Sequence, residues 1–146
     1  MKLKLMYLFP LLATLAAGCG GTKKNAPQPI PDGNYTGQFR LIHVHSDTRT
    51  KDTLKTNLQI SMSQSLAFKV TGDTSTLHAG SYGTFTANGD YGSINFDDKT
   101  YPTTGTPTKT HLNGSYQFLI NGDKLEMEAF GALDTLVLQY DLQRVN

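Results

Sequence analysis

The sequence predicts an all-β domain, namely an eight-stranded antiparallel up-and-down β-barrel, with a β-sandwich as the alternative. Apolar residues alternate with polar ones from residue 33 to the end of the chain, which is typical of strands that bury one face. Clusters of Gly, Asn, Asp, Pro and Ser interrupt this alternation about every ten residues, as in a meander of hairpins. The composition agrees, because hydrophobic residues make up 38% and charged residues only 17% of the 146.

Five strands are expected in the first two thirds of the domain. They cover residues 34–45, 54–62, 66–71, 78–87 and 91–96, and the last two flank the turn sequence Asn88-Gly89. The first three each carry a single apolar face, consisting of Tyr35, Phe39 and Leu41, then Leu54, Leu58, Ile60 and Met62, then Leu66, Phe68 and Val70.

Three further strands are expected at residues 112–120, 123–130 and 133–145. The last strand is the plainest, because its alternate residues are all apolar on one side: Leu136, Leu138, Tyr140 and Leu142. Eight such strands with short hairpins can close into a barrel or fold over as a sandwich. Closure removes exposed strand edges and is the preferred prediction.

The Asn-Gly pairs also predict strand registers. If Asn121-Gly122 forms a two-residue turn, Phe118 lies opposite Leu125, and Tyr116 opposite Met127. A slip by one residue would move charged side chains into the core. The turn at Asn88-Gly89 likewise places Phe85 opposite Gly92.

The chain begins with a short cationic head, an apolar run at residues 5–17, and then Gly18-Cys19. The run is too short to span a bilayer, which needs about 20 residues, and it matches the apolar region of an export signal. Residues 15–19 resemble the lipobox of bacterial lipoproteins. That resemblance implies cleavage after residue 18, a diacylglyceryl thioether on Cys19 and a further acyl chain such as palmitate on its amine. The alternative is an ordinary signal peptide followed by a free cysteine.

This resemblance divides the chain into a signal peptide (1–18), a lipidated cysteine with a flexible linker (19–32) and the barrel domain (33–146). The linker carries three prolines and no periodicity, and it reaches at most about 45 Å. Lys23 and Lys24 either contact anionic headgroups or are solvated linker residues. The expected location is the outer membrane of the bacterial cell envelope, with the domain in the periplasm or outside the cell.

The domain as a whole resembles the small lipocalin-like lipoproteins of bacteria. The resemblance rests on the opening segment 33–39, on Gly80-Ser81-Tyr82-Gly83, on the segment 112–116, and on Asn121-Gly122-Asp123. It implies a binding module for a small apolar or amphiphilic ligand, held at one mouth of the barrel. The candidate ligand-binding residues are Tyr35, Phe39, Leu41, Tyr116, Phe118, Leu138 and Tyr140.

The alternative function is a protein-interaction or inhibitor lipoprotein of the envelope that acts through its loops and has no small-molecule ligand. One such loop is the Thr-rich segment 103–110, either mobile surface or the rim of a binding mouth. With 13 basic and 12 acidic residues, mostly scattered, the sequence does not predict nucleic-acid binding.

The sequence predicts no enzyme activity and no cofactor, because no familiar catalytic or phosphate-binding motif occurs. The strongest metal candidate is His43-x-His45, whose side chains project from one strand face about 6.5 Å apart. A site would need a third ligand from Asp47, His78 or His111, and we predict two rim histidines and no metal. Thr53 and Thr135 lie in triplets that resemble acceptors of bacterial O-glycosylation.

Overall fold

A computed structural model describes residues 26–131 and 135–145, so the predicted signal peptide, Cys19 and Lys23-Lys24 lie outside the described residues. Within those ranges, no helix is long and apolar enough to cross a membrane. The eight strands are β1 (Gly33–Val44), β2 (Lys51–Met62), β3 (Ala67–Gly72), β4 (Tyr82–Asn88), β5 (Ser93–Asp98), β6 (Gly114–Asn121), β7 (Lys124–Phe130) and β8 (Leu136–Val145).

Each strand pairs antiparallel with the next, and β8 pairs with β1, which closes the barrel. The prediction of a closed up-and-down barrel is therefore confirmed, and the alternative sandwich is not adopted. The fourth strand starts later than predicted, at Tyr82, because residue 78 instead forms a parallel bridge with Thr110 in another loop.

The two ends of the barrel differ. The hairpin end carries the short β2–β3, β4–β5 and β6–β7 turns, and the loop end carries the connections 45–50, 73–81 and 99–113 together with residues 131 and 135. The last residues of the predicted linker contact the hairpin end. There the Gln28 N–H donates to the Gly89 carbonyl (2.9 Å), and the Ile120 N–H donates to Gln28 Oε1 (3.0 Å).

Large side chains fill the lumen. The rings of Phe39, Tyr140, Tyr116, Phe96 and Phe68 form one continuous series, with successive ring centroids 4.8, 5.7, 5.7 and 5.0 Å apart. All five rings are buried, and they share one core cluster with buried aliphatic side chains of β2, β3, β5, β7 and β8. Tilted and edge-on contacts of this kind are the favourable geometry for aromatic pairs. The barrel interior is thus a packed core.

The predicted register of the β6–β7 hairpin is wrong by two residues. Phe118 lies opposite Met127, not opposite Leu125, and Leu125 lies opposite Ile120. The two turn residues are Gly122 and Asp123, and only Gly122 has a positive φ (60°). Gly followed by another residue is the sequence of a type II′ turn, which competes with the type I′ turn predicted from Asn-Gly.

The predicted register of the β4–β5 hairpin is wrong by four residues. Phe85 lies opposite Phe96, not opposite Gly92, because the connection is a four-residue loop from Gly89 to Gly92. Gly83 pairs with Asp98 of β5 on one side and with Phe68 of β3 on the other, where an added Cβ would lie 3.1 Å from the Phe68 ring. Both register errors are even numbers, so every side chain remains on its predicted face.

Candidate functional site at the loop end

Two long loops pack together at the loop end of the barrel. The Ala79 N–H donates to the Thr110 carbonyl (2.8 Å), and the Thr110 N–H donates to the Leu77 carbonyl (3.0 Å). This short parallel pairing holds His78 against the inward-facing ring of Phe39, with ring centroids 4.9 Å apart. His78 is fully buried. It therefore acts as a plug on the filled lumen.

The hydrogen bonds of His78 define its tautomer. Nδ1 lies 2.6 Å from the Ala79 carbonyl oxygen, which can only accept, so Nδ1 carries the proton. Nε2 then accepts from the Tyr140 hydroxyl at 2.8 Å. Burial lowers the pKa of His78 to about 4, so the ring is neutral at pH 7.

The two tyrosines beneath the plug are neutral as well. Burial raises the pKa of Tyr140 well above its usual value and that of Tyr116 to about 12. The Tyr116 hydroxyl is buried, and its ring lies edge-on to that of Tyr140 with centroids 5.7 Å apart. All three side chains are therefore neutral at pH 7, and His78 and Tyr140 share a hydrogen bond.

A buried carboxylate anchors the longest loop. The Asp98 side chain, at the end of β5, accepts hydrogen bonds from His111 Nδ1 (2.7 Å), the Thr100 N–H (2.8 Å) and Thr100 Oγ1 (2.7 Å). The far part of the same loop is tied to the β3–β4 connection, because Lys109 Nζ donates to the Thr74 carbonyl (2.9 Å). The Thr-rich segment is therefore attached at its end, while residues 103–106 are exposed.

At the loop end, β1, β2 and β8 extend beyond His78, and their inward-facing side chains there are partly exposed to solvent. Leu41 pairs with Leu54 of β2 and with Leu138 of β8. Leu54 is 60% exposed, and Leu136 is 37% exposed. We call Leu41, Leu54, Leu136 and Leu138 the apolar shelf. An open concavity of about 680 Å³ lies over it, rimmed by the polar side chains of His43, Asp52 and Thr53.

The seven predicted ligand-binding residues occupy three places. Leu41 and Leu138 belong to the shelf. Tyr35 lies at the hairpin end, where its hydroxyl donates to the Asp32 carbonyl (3.1 Å) and burial raises its pKa. The remaining four are buried in the core: Phe39, Tyr116, Phe118 and Tyr140. Sequence reasoning did not predict the shelf residues Leu54 and Leu136 as ligand-binding, although their parity placed them on the inward face.

His43 and His45 lie side by side at the rim, with ring centroids 4.7 Å apart. His45 Nε2 is 2.7 Å from Asp52 Oδ2. The three residues considered as a third metal ligand make other contacts. Asp47 accepts a hydrogen bond from the Thr48 N–H, His111 contacts Asp98, and His78 is buried. Among the described residues, no group of three or more His, Cys, Asp and Glu side chains could hold a metal ion.

The outer wall carries a smaller concavity, of about 280 Å³, over β6, β7, β8 and β1. Two of its lining residues, Arg40 and Asp141, contact each other (3.4 Å), and the neighbouring Lys124 contacts both Glu126 (2.6 Å) and Asp141 (3.3 Å). Exposed pairs of this kind remain well solvated. The apolar shelf is therefore the better candidate site.

The fold defines the class of the protein as a closed eight-stranded up-and-down β-barrel, an architecture compatible with a ligand-binding module. No protein-family model, no curated protein and no solved structure matches the sequence.

Proposed function

We propose that the protein is an exported lipoprotein, anchored to a membrane of the bacterial envelope through acyl chains on Cys19, whose barrel binds a small amphiphile on the apolar shelf. One observation carries this proposal: Leu54 and Leu136 of the shelf face inward but stay exposed, because the His78 plug closes the lumen below them. The proposal assigns no catalysis, cofactor or nucleic acid to the chain.

The chemistry of the shelf fits an apolar tail with a polar head. Leu54 and Leu136 are 60% and 37% exposed, so covering them contributes only that share of the about 1.5–3 kcal/mol for complete burial of a leucine, before the cost of ordering the ligand is subtracted. The head would remain at the rim, near His43 and Asp52, where it keeps its contact with water. The ligand therefore binds at the mouth and does not enter the lumen.

The position of the linker supports an orientation for this site. Residues 28–32 lie at the hairpin end, whereas the shelf lies at the loop end. An anchor at Cys19 thus approaches the barrel from the side opposite the shelf. The shelf then faces away from the anchoring membrane, where a diffusing amphiphile can reach it.

Titration with a fluorescent fatty-acid analogue tests the amphiphile site. The fragment 26–146 contains all eight strands and the described core, and we expect it to bind the probe saturably at micromolar concentration. Leu54→Glu should weaken binding at least tenfold, because the carboxylate would meet the tail. The matched control is Leu119→Glu on the outer wall, where Leu119 is 48% exposed. If the probe does not bind saturably, or if both variants lose affinity equally, the shelf is not an amphiphile-binding site.

Intact mass of the mature protein tests the anchor. We expect the mass of residues 19–146 plus diacylglycerol, with or without a further acyl group, because Cys19 is the only cysteine in the chain. Each buried methylene of the acyl chains contributes about 0.8 kcal/mol to membrane binding. Cys19→Ala should therefore release the domain or block processing. An unmodified chain that begins at another residue would rule out the lipoprotein assignment.

A second candidate function is capture of a partner protein, the alternative that the sequence left open. The strands at the loop end are apolar on their outer wall too, where Val137 lies between Ile42 of β1 and Phe130 of β7. Phe130 is 62% exposed. Antiparallel sheets usually keep one face polar when that face is solvated. An outer wall with these side chains therefore favours contact with another macromolecule.

A further inference from the structure

Strand β2 extends beyond β3, the strand that pairs with it on one side. β1 pairs with β2 along its whole length, from Lys51 to Met62, whereas β3 pairs only with residues 58–62. Among the described residues, the backbone of 51–55 makes hydrogen bonds to β1 and to no other segment. The edge of β2 on the β3 side is therefore open over five residues, and its outward N–H and C=O groups can pair with another strand.

The side chains along this edge alternate in chemistry. Lys51, Thr53 and Lys55 lie on the outer wall, while Asp52 and Leu54 lie on the inward side, and all five are exposed. A strand added beside β2 would thus meet two cations on its outer face. On its inner face it would meet Leu54 and Asp52, whose carboxylate lies 2.7 Å from His45 Nε2.

This pattern disfavours a second copy of the chain as the occupant. Antiparallel pairing of two β2 edges centred on Thr53 would place Lys51 of each copy opposite Lys55 of the other. Like charges directly opposite each other destabilise a sheet, and lysines at strand edges are a common barrier to self-association. The same two lysines attract a strand with acidic side chains at the facing positions.

We propose that the open edge of β2 binds an extended segment of a partner polypeptide by strand addition, and that the segment alternates acidic residues on the outer face with apolar residues on the inner face. Backbone hydrogen bonds supply the affinity, and the lysines and Leu54 supply the selectivity. This inference rests on the second candidate function, because a partner chain occupies the edge. It does not require the amphiphile.

A labelled heptapeptide that alternates glutamate and valine tests the proposal by fluorescence anisotropy, with the mature chain in phosphatidylcholine nanodiscs. We expect saturable binding at micromolar concentration. The double variant Lys51→Glu with Lys55→Glu should bind at least tenfold more weakly and should instead bind a peptide that alternates lysine and valine. Lys69→Glu, an exposed lysine in β3, is the matched control and should bind as the unaltered chain does.

A peptide with alternate amides N-methylated tests the backbone contribution, because it cannot form the ladder, and we expect no binding. Equal binding of the methylated peptide, insensitivity to the double variant, or no binding of either charged peptide would overturn the proposal. If partner capture then depends on Phe130 and not on the lysines, the second candidate function survives without this inference. Leu54→Glu does not separate the two proposals, because Leu54 belongs both to the shelf and to the open edge, whereas Lys51 and Lys55 belong to the edge alone.

Discussion

Phe39→Ala should destabilise the barrel by about 3–5 kcal/mol, a large part of the 5–15 kcal/mol by which a typical domain is stable. Phe39 is fully buried, and its ring contacts both the plug residue His78 and Tyr140, with centroid distances of 4.9 and 4.8 Å. Removing the ring opens a cavity between His78 and the rest of the core. The chain has no tryptophan, so urea unfolding followed by far-ultraviolet circular dichroism is the appropriate measurement.

Phe130→Ala is the matched control for this prediction. It removes the same atoms from a ring that is 62% exposed on the outer wall, and we expect a change within about 0.5 kcal/mol. If the two variants lost similar stability, the filled lumen would not be the main source of stability. A partner-binding role of Phe130 would remain unaffected by that result.

The barrel should lose stability as the pH falls from about 6.5 to about 4, because of His78. The pKa of His78 is about 4 in the folded protein, against 6.5 for the free side chain, because burial disfavours the charged ring. Above pH 6.5 the ring is neutral in both states and contributes no pH dependence. Below it, the unfolded chain takes up a proton that the folded chain does not, and the cost grows to about 3 kcal/mol near pH 4.

Urea unfolding at pH 7.5, 5.5 and 4.5 measures this effect in the unaltered chain and in His78→Gln. The glutamine variant should show a shallower fall with decreasing pH, because it has no group to protonate. Tyr140→Phe provides a comparison. It leaves buried Nε2 without a donor and should cost about 1–3 kcal/mol at pH 7.5 while the acid dependence remains. If stability fell equally steeply with pH in the unaltered chain and in His78→Gln, His78 would not be the cause of the acid dependence.

The sequence was sufficient for the number of strands and for the face of each side chain, but not for strand register. Burial depends on whether a residue is odd or even along its strand, so shifts of two or four residues leave the pattern of Phe118, Leu125 and Met127 unchanged. Choosing among those shifts needs the exact turn type. Gly122 permits more than one turn type, because glycine adopts positive φ readily.

The sequence did not predict that His78 closes the lumen. It therefore did not predict either that the shelf residues above His78 stay exposed. His78 reaches the lumen only because two loops from different hairpins pair with each other, and no local pattern encodes that pairing. One signal was present: Asp98 continues the inward parity of Ile94 and Phe96, so its charge required a buried partner. His111 is that partner, 13 residues further along the chain.

The pairing of β1 with β8 makes the two ends of the domain neighbours, and this has a consequence for how the chain folds. β1 is synthesised first, yet ten of its residues have partners in the last strand, about a hundred positions away. Contacts between such distant residues slow folding, because the loop entropy is lost before the contacts form. Until β8 is available, both edges of the incomplete sheet are open. The barrel therefore closes only when β8 has left the ribosome. We expect a chain truncated before β8 to aggregate.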